Sequence, residues 1–402
     1  VVMQKNSKPI SLPLPAKAEA PAAPDAGTPP AGEWRAAWIS YIELQGMDYT
    51  SAEAFRAGAA AMMDRCAGLG LNTVIVQVRP FGDALYPSAL FPWSHICTGV
   101  QGVSPGFDPL DILLTEAHSR GLSFEGWINP YRLQASASSP GTLAADNLAN
   151  THPDWVAAAG GGLYLNPAIP EAAAYVVEGV AELVRTYPVD GVHFDDYFYP
   201  TTDPAIDAAR FAASGAADLA EWRRQNVTAL VKAAHDAVKA ADPTLRFGVS
   251  PQGNPDNDMS QQYSDVRGWL AAGSEDAVVD YLCPQLYWGY GYTLSNGSRR
   301  FAYENILAEW LAMPRGSAAL YVGLGAYRIG EGDGGSNGDS VSGWSTGRAL
   351  ADQVGTLRAA GAGGYALYRY GSLFQNTAWP QLAEAECAAL TAANAPDGGR
   401  AG

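Results

Sequence analysis

Apolar residues recur along the chain in two alternating patterns, as short runs and as longer stretches with helical spacing. The short runs predict strands, at residues 35–40, 73–78, 123–128, 190–194, 246–250, 278–283, 320–324 and 364–368. The longer stretches predict helices, at residues 51–69, 108–121, 170–187, 218–241, 266–272, 303–311, 347–360 and 380–390. Eight strands alternating with eight helices predict an α/β fold, a (β/α)8 TIM barrel with long loops after its strands.

An open, doubly wound sheet is the alternative, because it is built from the same alternation of strands and helices. A dinucleotide-binding sheet of that kind carries a glycine fingerprint after its first strand, and none follows residue 40. The segment Gly323-Leu324-Gly325 has two of the three glycines and comes late in the chain. We therefore favour the barrel.

The first 32 residues differ in composition from the rest of the chain. Ala and Pro dominate from Leu12 to Gly32, and such a segment stays extended and forms no core. We predict a linker at residues 1–32, the barrel domain at residues 33–390 and a flexible tail at residues 391–402. Because such spacers commonly separate an exported domain from its anchor, we expect a protein that is extracellular or in the cell envelope and could be anchored through this linker.

The charge and the aromatic content limit the classes of partner. The formal net charge is −16 and the pI is about 4.7, and an acidic surface repels phosphate backbones and anionic lipids. No apolar run is long enough to span a bilayer, so we expect neither nucleic-acid binding nor membrane insertion. The 20 Tyr and 11 Trp residues favour a neutral partner on which rings can stack, such as a sugar.

Two adjacent carboxylates, Asp195 and Asp196, end the fourth predicted strand, two positions after His193. Neighbouring carboxylates repel each other, which raises the pKa of one of them and suits acid/base chemistry. A helix cap with a salt bridge is the alternative interpretation. The sequence Tyr197-Phe-Tyr-Pro200 argues against a cap, because no helical pattern begins there.

Other polar and aromatic side chains follow the predicted strands, and strand ends meet at the active-site face of a barrel. Candidates for substrate binding, besides His193 on strand four, are Gln77, Arg79 and Asp83 after strand two, Trp127, Asn129, Tyr131 and Arg132 after strand three, Tyr197 after strand four, Gln285, Tyr287 and Trp288 after strand six, and Arg369 after strand eight. Any single one of them could equally be a hydrogen-bonded core residue.

Carboxylate chemistry in an aromatic cleft is typical of glycoside hydrolysis. Many barrel glycosidases place the second carboxylate after strand seven, yet here none occurs before Glu331. One aspartate can then act as the acid while the other orients a substrate N-acetyl group that attacks from within the sugar, with Tyr287 holding the acetamido oxygen. Alternative sources of a nucleophile or base are Glu125, Asp83, Asp256 and Asp280.

Other classes of function have less support. The five histidines and four cysteines show no HxH, HExxH or CxxC spacing, and the chain has no GxSxG elbow and no P-loop. We therefore predict no metal and no cofactor. A non-catalytic glycan-binding barrel stays the competing interpretation, because it would keep the aromatic residues.

Several ordered motifs between residues 33 and 386 carry a family resemblance. They are Gln77-Val-Arg-Pro80 with Gly82-Asp-Ala-Leu-Tyr86, Gly106-Phe-Asp-Pro-Leu110, Glu116-Ala-His-Ser-Arg-Gly121, Trp127-Ile-Asn-Pro-Tyr-Arg132, Asp190-Gly-Val-His-Phe-Asp-Asp-Tyr197 and Pro284-Gln-Leu-Tyr-Trp288. Together they resemble the glycosyl-hydrolase-like family ten of bacteria. The resemblance implies a (β/α)8 barrel, export to the cell envelope, and cleavage of bacterial cell-wall glycan, particularly strands stripped of peptide.

The resemblance places the catalytic pair at Asp195 and Asp196. We assign Asp196 as the general acid and Asp195 as the stabilising carboxylate, acting on a β-linked, N-acetylated glycan. Residues expected to position the sugar are Gln77, Arg79, Asn129, Gln285, Tyr287 and Arg369, and those expected to stack on it are Trp127, Tyr131, Tyr197 and Trp288. Glu125 departs from the family pattern, in which strand three carries a His or a similar polar residue.

Overall fold

A computed structural model describes residues 27–396 of the chain. The strands are β1 (Trp34–Ile39), β2 (Thr73–Arg79), β3 (Ser123–Ile128), β4 (Arg132–Gln134), β5 (Val156–Ala159), β6 (Gly162–Leu165), β7 (Gly191–Phe194), β8 (Arg246–Val249), β9 (Tyr281–Leu282), β10 (Ala319–Leu320), β11 (Val322–Gly325) and β12 (Gly364–Tyr368). Most of the predicted linker and the end of the predicted tail lie outside the described residues.

The helices of the same residues are α1 (Tyr41–Gln45), α2 (Ala52–Gly68), α3 (His95–Thr98), α4 (Pro109–His118), α5 (Leu148–Thr151), α6 (Pro170–Thr186), α7 (Ala208–Ser214), α8 (Leu219–Ala241), α9 (Pro255–Asn257), α10 (Val266–Ala271), α11 (Tyr303–Leu311), α12 (Ala349–Ala359), α13 (Tyr370–Phe374) and α14 (Pro380–Asn394). Short 3-10 turns lie at Pro153–Trp155, Pro204–Ile206, Ala326–Arg328 and Ser342–Trp344, and a π-turn at Asp258–Gln262.

Nine parallel strand segments form the central sheet, in the order β10-β9-β8-β7-β3-β2-β1-β12-β11. The two end segments belong to one stretch of chain, since only Tyr321 separates β10 from β11. Ala319 in β10 pairs with Tyr281, and Val322 in β11 pairs with Tyr365. The sheet therefore closes into a barrel with eight strand positions, which confirms the predicted (β/α)8 fold and excludes the open sheet.

The long helices pack on the barrel through one apolar face. In α6, Val176, Val180 and Leu183 recur at helical spacing and have no exposed surface. Burial of each such side chain contributes roughly 1.5–3 kcal/mol. The helix begins at Pro170, whose missing N–H costs nothing in the first turn of a helix.

The loop after β3 carries a feature that the sequence patterns did not predict. Strands β4, β6 and β5 form a small antiparallel sheet in that order, and the N–H of Leu165 donates to the carbonyl of Tyr131 (2.8 Å). This sheet joins the loop to the carboxyl end of β3. It therefore supports the face of the barrel on which the strands end.

The last helix extends past the predicted end of the barrel domain at residue 390 and reaches Asn394. The Asn394 side chain donates to the carbonyl of Leu69 (2.9 Å) and accepts from the hydroxyl of Tyr365 (2.8 Å). Residues 391–394 therefore belong to the barrel. Among residues 27–396, no helix has the length and apolar character that a membrane span requires.

The barrel interior holds large rings where branched aliphatic side chains are common in this fold. Its buried aromatic members are Trp34, Trp38, Trp127, Tyr281 and Tyr321. Two polar side chains, Glu125 and His193, are also buried there, with 2% and 0% of their surface exposed. Polar side chains that are buried in this way require hydrogen-bond partners inside the barrel.

Candidate active site

A pocket of about 240 Å³ opens at the carboxyl ends of the barrel strands. Its lining residues are Trp38, Trp127, Asp195, Asp196, Tyr197, Ser250, Gln285, Tyr287, Tyr327 and Tyr368. They come from β1, β3, β12 and the segments that follow β7, β8, β9 and β11. Asp195 and Asp196 are the acidic residues of this lining, and the rest of the wall is mostly aromatic.

Asp195 is held by three donors. Its Oδ2 accepts from Trp127 Nε1 (3.0 Å) and Asn129 Nδ2 (3.1 Å), and its Oδ1 accepts from the N–H of Tyr197 (3.1 Å). Burial and the neighbouring charge of Asp196 raise the pKa of Asp195 to about 7. The three donors favour the ionised form and fix the carboxylate in one orientation.

Asp196 is buried but less fully bonded. Its Oδ1 accepts from Gln285 Nε2 (3.0 Å), and the side-chain amide of Gln252 is a second, weaker partner. Burial raises the pKa of Asp196, and the amides of Gln285 and Gln252 and the guanidinium of Arg132 lower it by less. Two buried carboxyl groups side by side favour a state with one shared proton. Because fewer donors of ordinary hydrogen-bond length fix its carboxylate, Asp196 is the better proton donor to a ligand in the pocket.

Tyrosine rings form one wall of the pocket. Tyr287 stacks on Tyr368 with ring centroids 5.5 Å apart, and Tyr327 meets both rings edge-on. The Tyr287 hydroxyl forms no hydrogen bond with any described residue, so it is available to a ligand. Tyr197 has 54% of its surface exposed at the rim, as a residue that stacks on a ligand requires.

Several residues predicted from the sequence lie in or directly behind this pocket. The lining includes Asp195, Asp196, Trp127, Tyr197, Gln285 and Tyr287. Asn129 lies behind Asp195 and donates to it, and its Oδ1 accepts from the N–H of Arg132. Arg132 packs its guanidinium over the ring of Phe81 at 4.4 Å and acts on the pair through its charge.

Other predicted substrate ligands have structural partners elsewhere. Gln77 is buried, and its Oε1 accepts from the N–H of Tyr41 at the start of α1 (3.0 Å). Asp83 is fully buried and accepts from Gln101 Nε2 (3.0 Å) within the loop after β2. Both side chains stabilise loops, because their polar atoms are already occupied by the loops that they support.

Two predicted stacking platforms lie outside the pocket lining. Tyr131 is 1% exposed and packs edge-on against Phe198. Trp288 stacks on Phe301 with ring centroids 5.0 Å apart. Each ring is covered by a neighbouring aromatic side chain, which leaves Trp127 and Tyr197 as the predicted platforms that line the pocket.

Two of the three predicted arginine ligands, Arg79 and Arg369, are held by other partners and do not line the pocket. Arg79 is 1% exposed, and its guanidinium lies 3.6 Å from the ring centroid of Phe91. A register shift between Gln77 and Arg79 explains this, because it turns the end of β2 away from the mouth. Arg369 is paired with the buried Glu43, whose Oε1 also accepts from the N–H of Gly371 (2.8 Å).

His193 was expected to contact substrate, but it has no exposed surface. It lies inside the barrel below the pocket, where Trp38 Nε1 donates to its Nε2 (3.1 Å). Burial lowers the pKa of His193 to about 3, so the ring is neutral. His193 and Asp195 are two positions apart, so both side chains face the barrel interior. His193 therefore lies one layer deeper in the barrel than Asp195.

The alternative acids lie outside the pocket as well. Asp256 is on the surface and pairs with Arg300 (2.5 Å). Asp280 precedes β9 and pairs with Lys239 (2.8 Å), and Glu125 lines a different cavity at the opposite end of the barrel. With Asp83 in the loop after β2, none of the four alternatives reaches the Asp195–Asp196 pair.

The pocket also contains residues that the sequence did not single out as site residues. Trp38, Ser250, Tyr327 and Tyr368 all line it. Ser250, Tyr327 and Tyr368 lie directly at strand ends, and this position could have predicted them as site residues. Trp38 gave no such signal, because it lies within β1 in a run that predicts only a buried strand. No cluster of three His, Cys, Asp or Glu residues suited to a metal ion occurs within residues 27–396.

The sequence matches proteins of known family. Residues 33–337 match the model of the family described as glycosyl hydrolase-like 10. Glycosyl hydrolase YngK of Bacillus subtilis (strain 168) is 38% identical over 323 residues, which cover 74% of this chain and 61% of that protein. Glycosyl hydrolase DigH of Escherichia coli (strain K12) is 36% identical over 299 residues, covering 67% of this chain and 65% of that protein. The match therefore spans less than two thirds of either relative.

Solved structures share the fold at low identity. Alpha-L-fucosidase isoenzyme 2 from Paenibacillus thiaminolyticus superposes with a TM-score of 0.56 at 16% identity, over 89% of this chain and 49% of that chain. The PgaB (BpsB) glycoside hydrolase domain from Bordetella bronchiseptica gives 0.55 at 14% identity, over 88% of this chain and 99% of that chain. The barrel and the family match together confirm the predicted fold and the predicted family, and the chain belongs to the glycosyl hydrolase-like 10 family.

Proposed function

We propose that this protein cleaves β-linked, N-acetylated glycan, with the glycan strands of peptidoglycan as its substrate. The observation that carries this proposal is the unequal bonding of two adjacent buried carboxyl groups in one pocket. Asp195 is fixed by three donors, whereas the carboxylate of Asp196 accepts one hydrogen bond of ordinary length, from Gln285, among the described residues. One carboxylate is thus suited to stabilise charge and the other to transfer a proton.

In the proposed first step, Asp196 gives its proton to the glycosidic oxygen. The bond between that oxygen and the anomeric carbon breaks, and its electron pair stays with the leaving sugar. The carbonyl oxygen of the substrate acetamido group bonds to the anomeric carbon, and the carboxylate of Asp195 accepts a hydrogen bond from the acetamido N–H. This route needs no third carboxylate, in keeping with a pocket lining that has two.

In the second step, the ionised Asp196 takes a proton from water. The water oxygen bonds to the anomeric carbon, and the acetamido oxygen leaves it and becomes a carbonyl oxygen again. The configuration at the anomeric carbon is retained, because two displacements occur on it. Tyr287 is suited to donate to the acetamido oxygen during both steps, since its hydroxyl has no partner among residues 27–396.

The choice of cell-wall glycan rests on the family and on the motifs shared with it. The proposed location, outside the cell or in its envelope, rests on the Ala- and Pro-rich composition of the first 32 residues together with the family resemblance. The two curated relatives are named glycosyl hydrolases, which supports hydrolysis of a glycan without naming the bond. The net charge of −16 repels the dense phosphate charge of nucleic acid, so nucleic-acid binding is not part of the proposal.

Product analysis tests the proposal. Wild type, Asp195→Asn and Asp196→Asn are incubated with peptide-free cell-wall glycan, and soluble products are identified by mass spectrometry. We expect wild type to release saccharides and both variants to lose about 10²-fold or more in rate. Asp190→Asn is the matched control, because Asp190 precedes the same strand and lines the cavity at its other end; it should cleave like wild type.

Two further outcomes separate the alternatives. Glycan from which the N-acetyl groups have been removed should not be cleaved, because it lacks the attacking oxygen. If wild type binds the N-acetylated glycan and releases nothing, the proposal fails for this substrate and a non-catalytic glycan-binding barrel explains the pocket better.

A further inference from the structure

A chain of hydrogen bonds runs through the barrel interior from the pocket toward the opposite end. Trp38 Nε1 lies 3.1 Å from His193 Nε2, and His193 Nδ1 lies 2.8 Å from the hydroxyl of Tyr281. The Tyr281 hydroxyl in turn donates to Oε2 of Glu125. All four residues are at most 6% exposed, so water does not compete for these bonds.

The chemistry of its members gives the chain one direction. An indole N–H can only donate, so Nε2 of the neutral His193 must accept and the ring proton lies on Nδ1. Nδ1 then donates to the Tyr281 oxygen, and the Tyr281 proton is directed to Glu125. Burial raises the pKa of Glu125 to about 7. Once ionised, its carboxylate can only accept, so Trp38 and Glu125 at the two ends fix the direction of the bonds between them.

Trp38 connects this chain to the pocket. Its ring lines the pocket beside Asp195 and Asp196, and it meets the ring of Tyr368 edge-on at a centroid distance of 5.9 Å. Tyr368 is the ring on which Tyr287 stacks. A change in the orientation of Trp38 would therefore move the wall that faces the carboxyl pair.

We propose that Glu125 is a positioning residue, which holds Trp38 in the pocket wall by directing the bonds through Tyr281 and His193. The inference rests on the proposed function of the pocket, but the hydrogen-bond chain itself does not. Without an acceptor at Glu125, the Tyr281 hydroxyl is free to donate to Nδ1 of His193. The ring proton then moves to Nε2, where it opposes the N–H of Trp38, and that bond is lost.

Glu125 acts from a distance. It precedes Trp127, which lines the pocket, by two positions along β3, about 7 Å at about 3.3 Å per residue. It lines a cavity of about 390 Å³ at the amino end of the barrel, together with Arg246 and Asp190. These neighbours have partners of their own, since Arg246 donates to the Tyr321 hydroxyl (2.7 Å) and Asp190 accepts from the N–H of Phe124 (2.7 Å). A change at Glu125 therefore leaves these two hydrogen bonds in place and alters the chain that leads to Trp38.

The test compares Glu125→Met with Glu125→Gln, because Gln keeps an acceptor oxygen for Tyr281 and Met does not. The tautomer of His193 is read by ¹⁵N NMR, and the indole N–H resonance of Trp38 is assigned with Trp38→Phe. We expect Nδ1–H in wild type and Glu125→Gln, and a shift toward Nε2–H with a displaced Trp38 resonance in Glu125→Met. On glycan, kcat of Glu125→Met should fall about tenfold or more while Glu125→Gln stays near wild type.

The outcomes that overturn the proposal are distinct from failure of the proposed function. If folded Glu125→Met keeps the Nδ1–H tautomer, the Trp38 resonance and kcat, Glu125 has only a structural role. If Glu125→Met does not fold, Tyr281→Phe detaches His193 from Glu125 while keeping the ring; an unchanged Trp38 resonance and kcat there also overturn it. If wild type cleaves no glycan, the proposed function fails, and the NMR measurements still decide the positioning role.

Discussion

Replacing Gln285 with Met should move the alkaline limb of the pH–rate profile to higher pH. Gln285 Nε2 donates to Oδ1 of Asp196 at 3.0 Å, which stabilises the ionised form and lowers the pKa of Asp196. Methionine has a similar length and cannot donate. Without this donor the pKa of Asp196 rises, and a general acid with a higher pKa keeps its proton to a higher pH.

The size of the shift follows from the strength of one hydrogen bond to a charged group. Such a bond contributes about 1.5–3 kcal/mol, equivalent to about 1–2 pKa units. Because the Gln252 amide still acts on Asp196, we expect the lower end, a shift of about one pH unit. In wild type the alkaline limb marks the loss of the proton that the two carboxyl groups share.

Asn129→Leu is the matched variant on the other carboxylate. It removes the donor to Oδ2 of Asp195 (3.1 Å) and leaves those of Trp127 and Tyr197 in place. The pKa of Asp195 should therefore rise. Since Asp195 must be ionised to act, the acid limb of the profile should move to higher pH while the alkaline limb stays where it is.

The assay is kcat/KM on peptide-free glycan across the acidic, neutral and alkaline range, because this parameter reports the pKa values of the free enzyme. If Gln285→Met moves the acid limb and Asn129→Leu the alkaline limb, the roles of Asp195 and Asp196 are exchanged. If both variants fold and neither limb moves, the pair does not set the pH dependence, and acid/base catalysis by these two residues is refuted.

Three further changes have defined outcomes. Tyr287→Phe should lower kcat/KM on N-acetylated glycan about tenfold, the value of one hydrogen bond, with unchanged thermal stability. Glu386→Ala removes the carboxylate that accepts from the N–H groups of Ala349 and Leu350 at the start of α12 (2.6 and 3.1 Å), and urea unfolding should show a loss of about 1–3 kcal/mol. Asp258 is fully buried, and burial raises its pKa well above 3.8, so wild-type stability falls as pH rises; Asp258→Asn should raise Tm at neutral pH and not at acidic pH.

The sequence predicted the barrel and part of its active site for the same reason. Parallel strands of a closed barrel end on one face, so polar and aromatic residues at strand ends meet there. Gln285 and Tyr287 follow β9, and Asp195 and Asp196 follow β7, and all four line the pocket. To predict that these four residues meet, it was enough to place each strand correctly along the chain.

The position of a residue along a strand does not show which way its side chain points. Arg79 was expected at the mouth, yet a register shift in β2 turns it toward Phe91. His193 faces inward as expected for its parity with Asp195, but one layer below the pocket. Trp38 reaches the pocket from within β1, because its large ring spans the layer that a smaller side chain would leave open. Each case depends on how deep the side chain lies in the barrel or on a local irregularity of the strand. The spacing of apolar residues shows neither.

The different environments of Asp195 and Asp196 supply a physical basis for their assigned roles that the sequence alone does not contain. Adjacent residues share their local sequence, and only one of the contacts that distinguish them, the N–H of Tyr197 on Asp195, is local. Asp195 is bonded by Trp127 and Asn129 from β3 and the residues after it, and Asp196 by Gln285 from the segment after β9. These strands flank β7 on opposite sides of the barrel order. Closure of the barrel therefore gives Asp195 and Asp196 different hydrogen-bond donors. The proposed roles of acid and stabilising carboxylate depend on this difference.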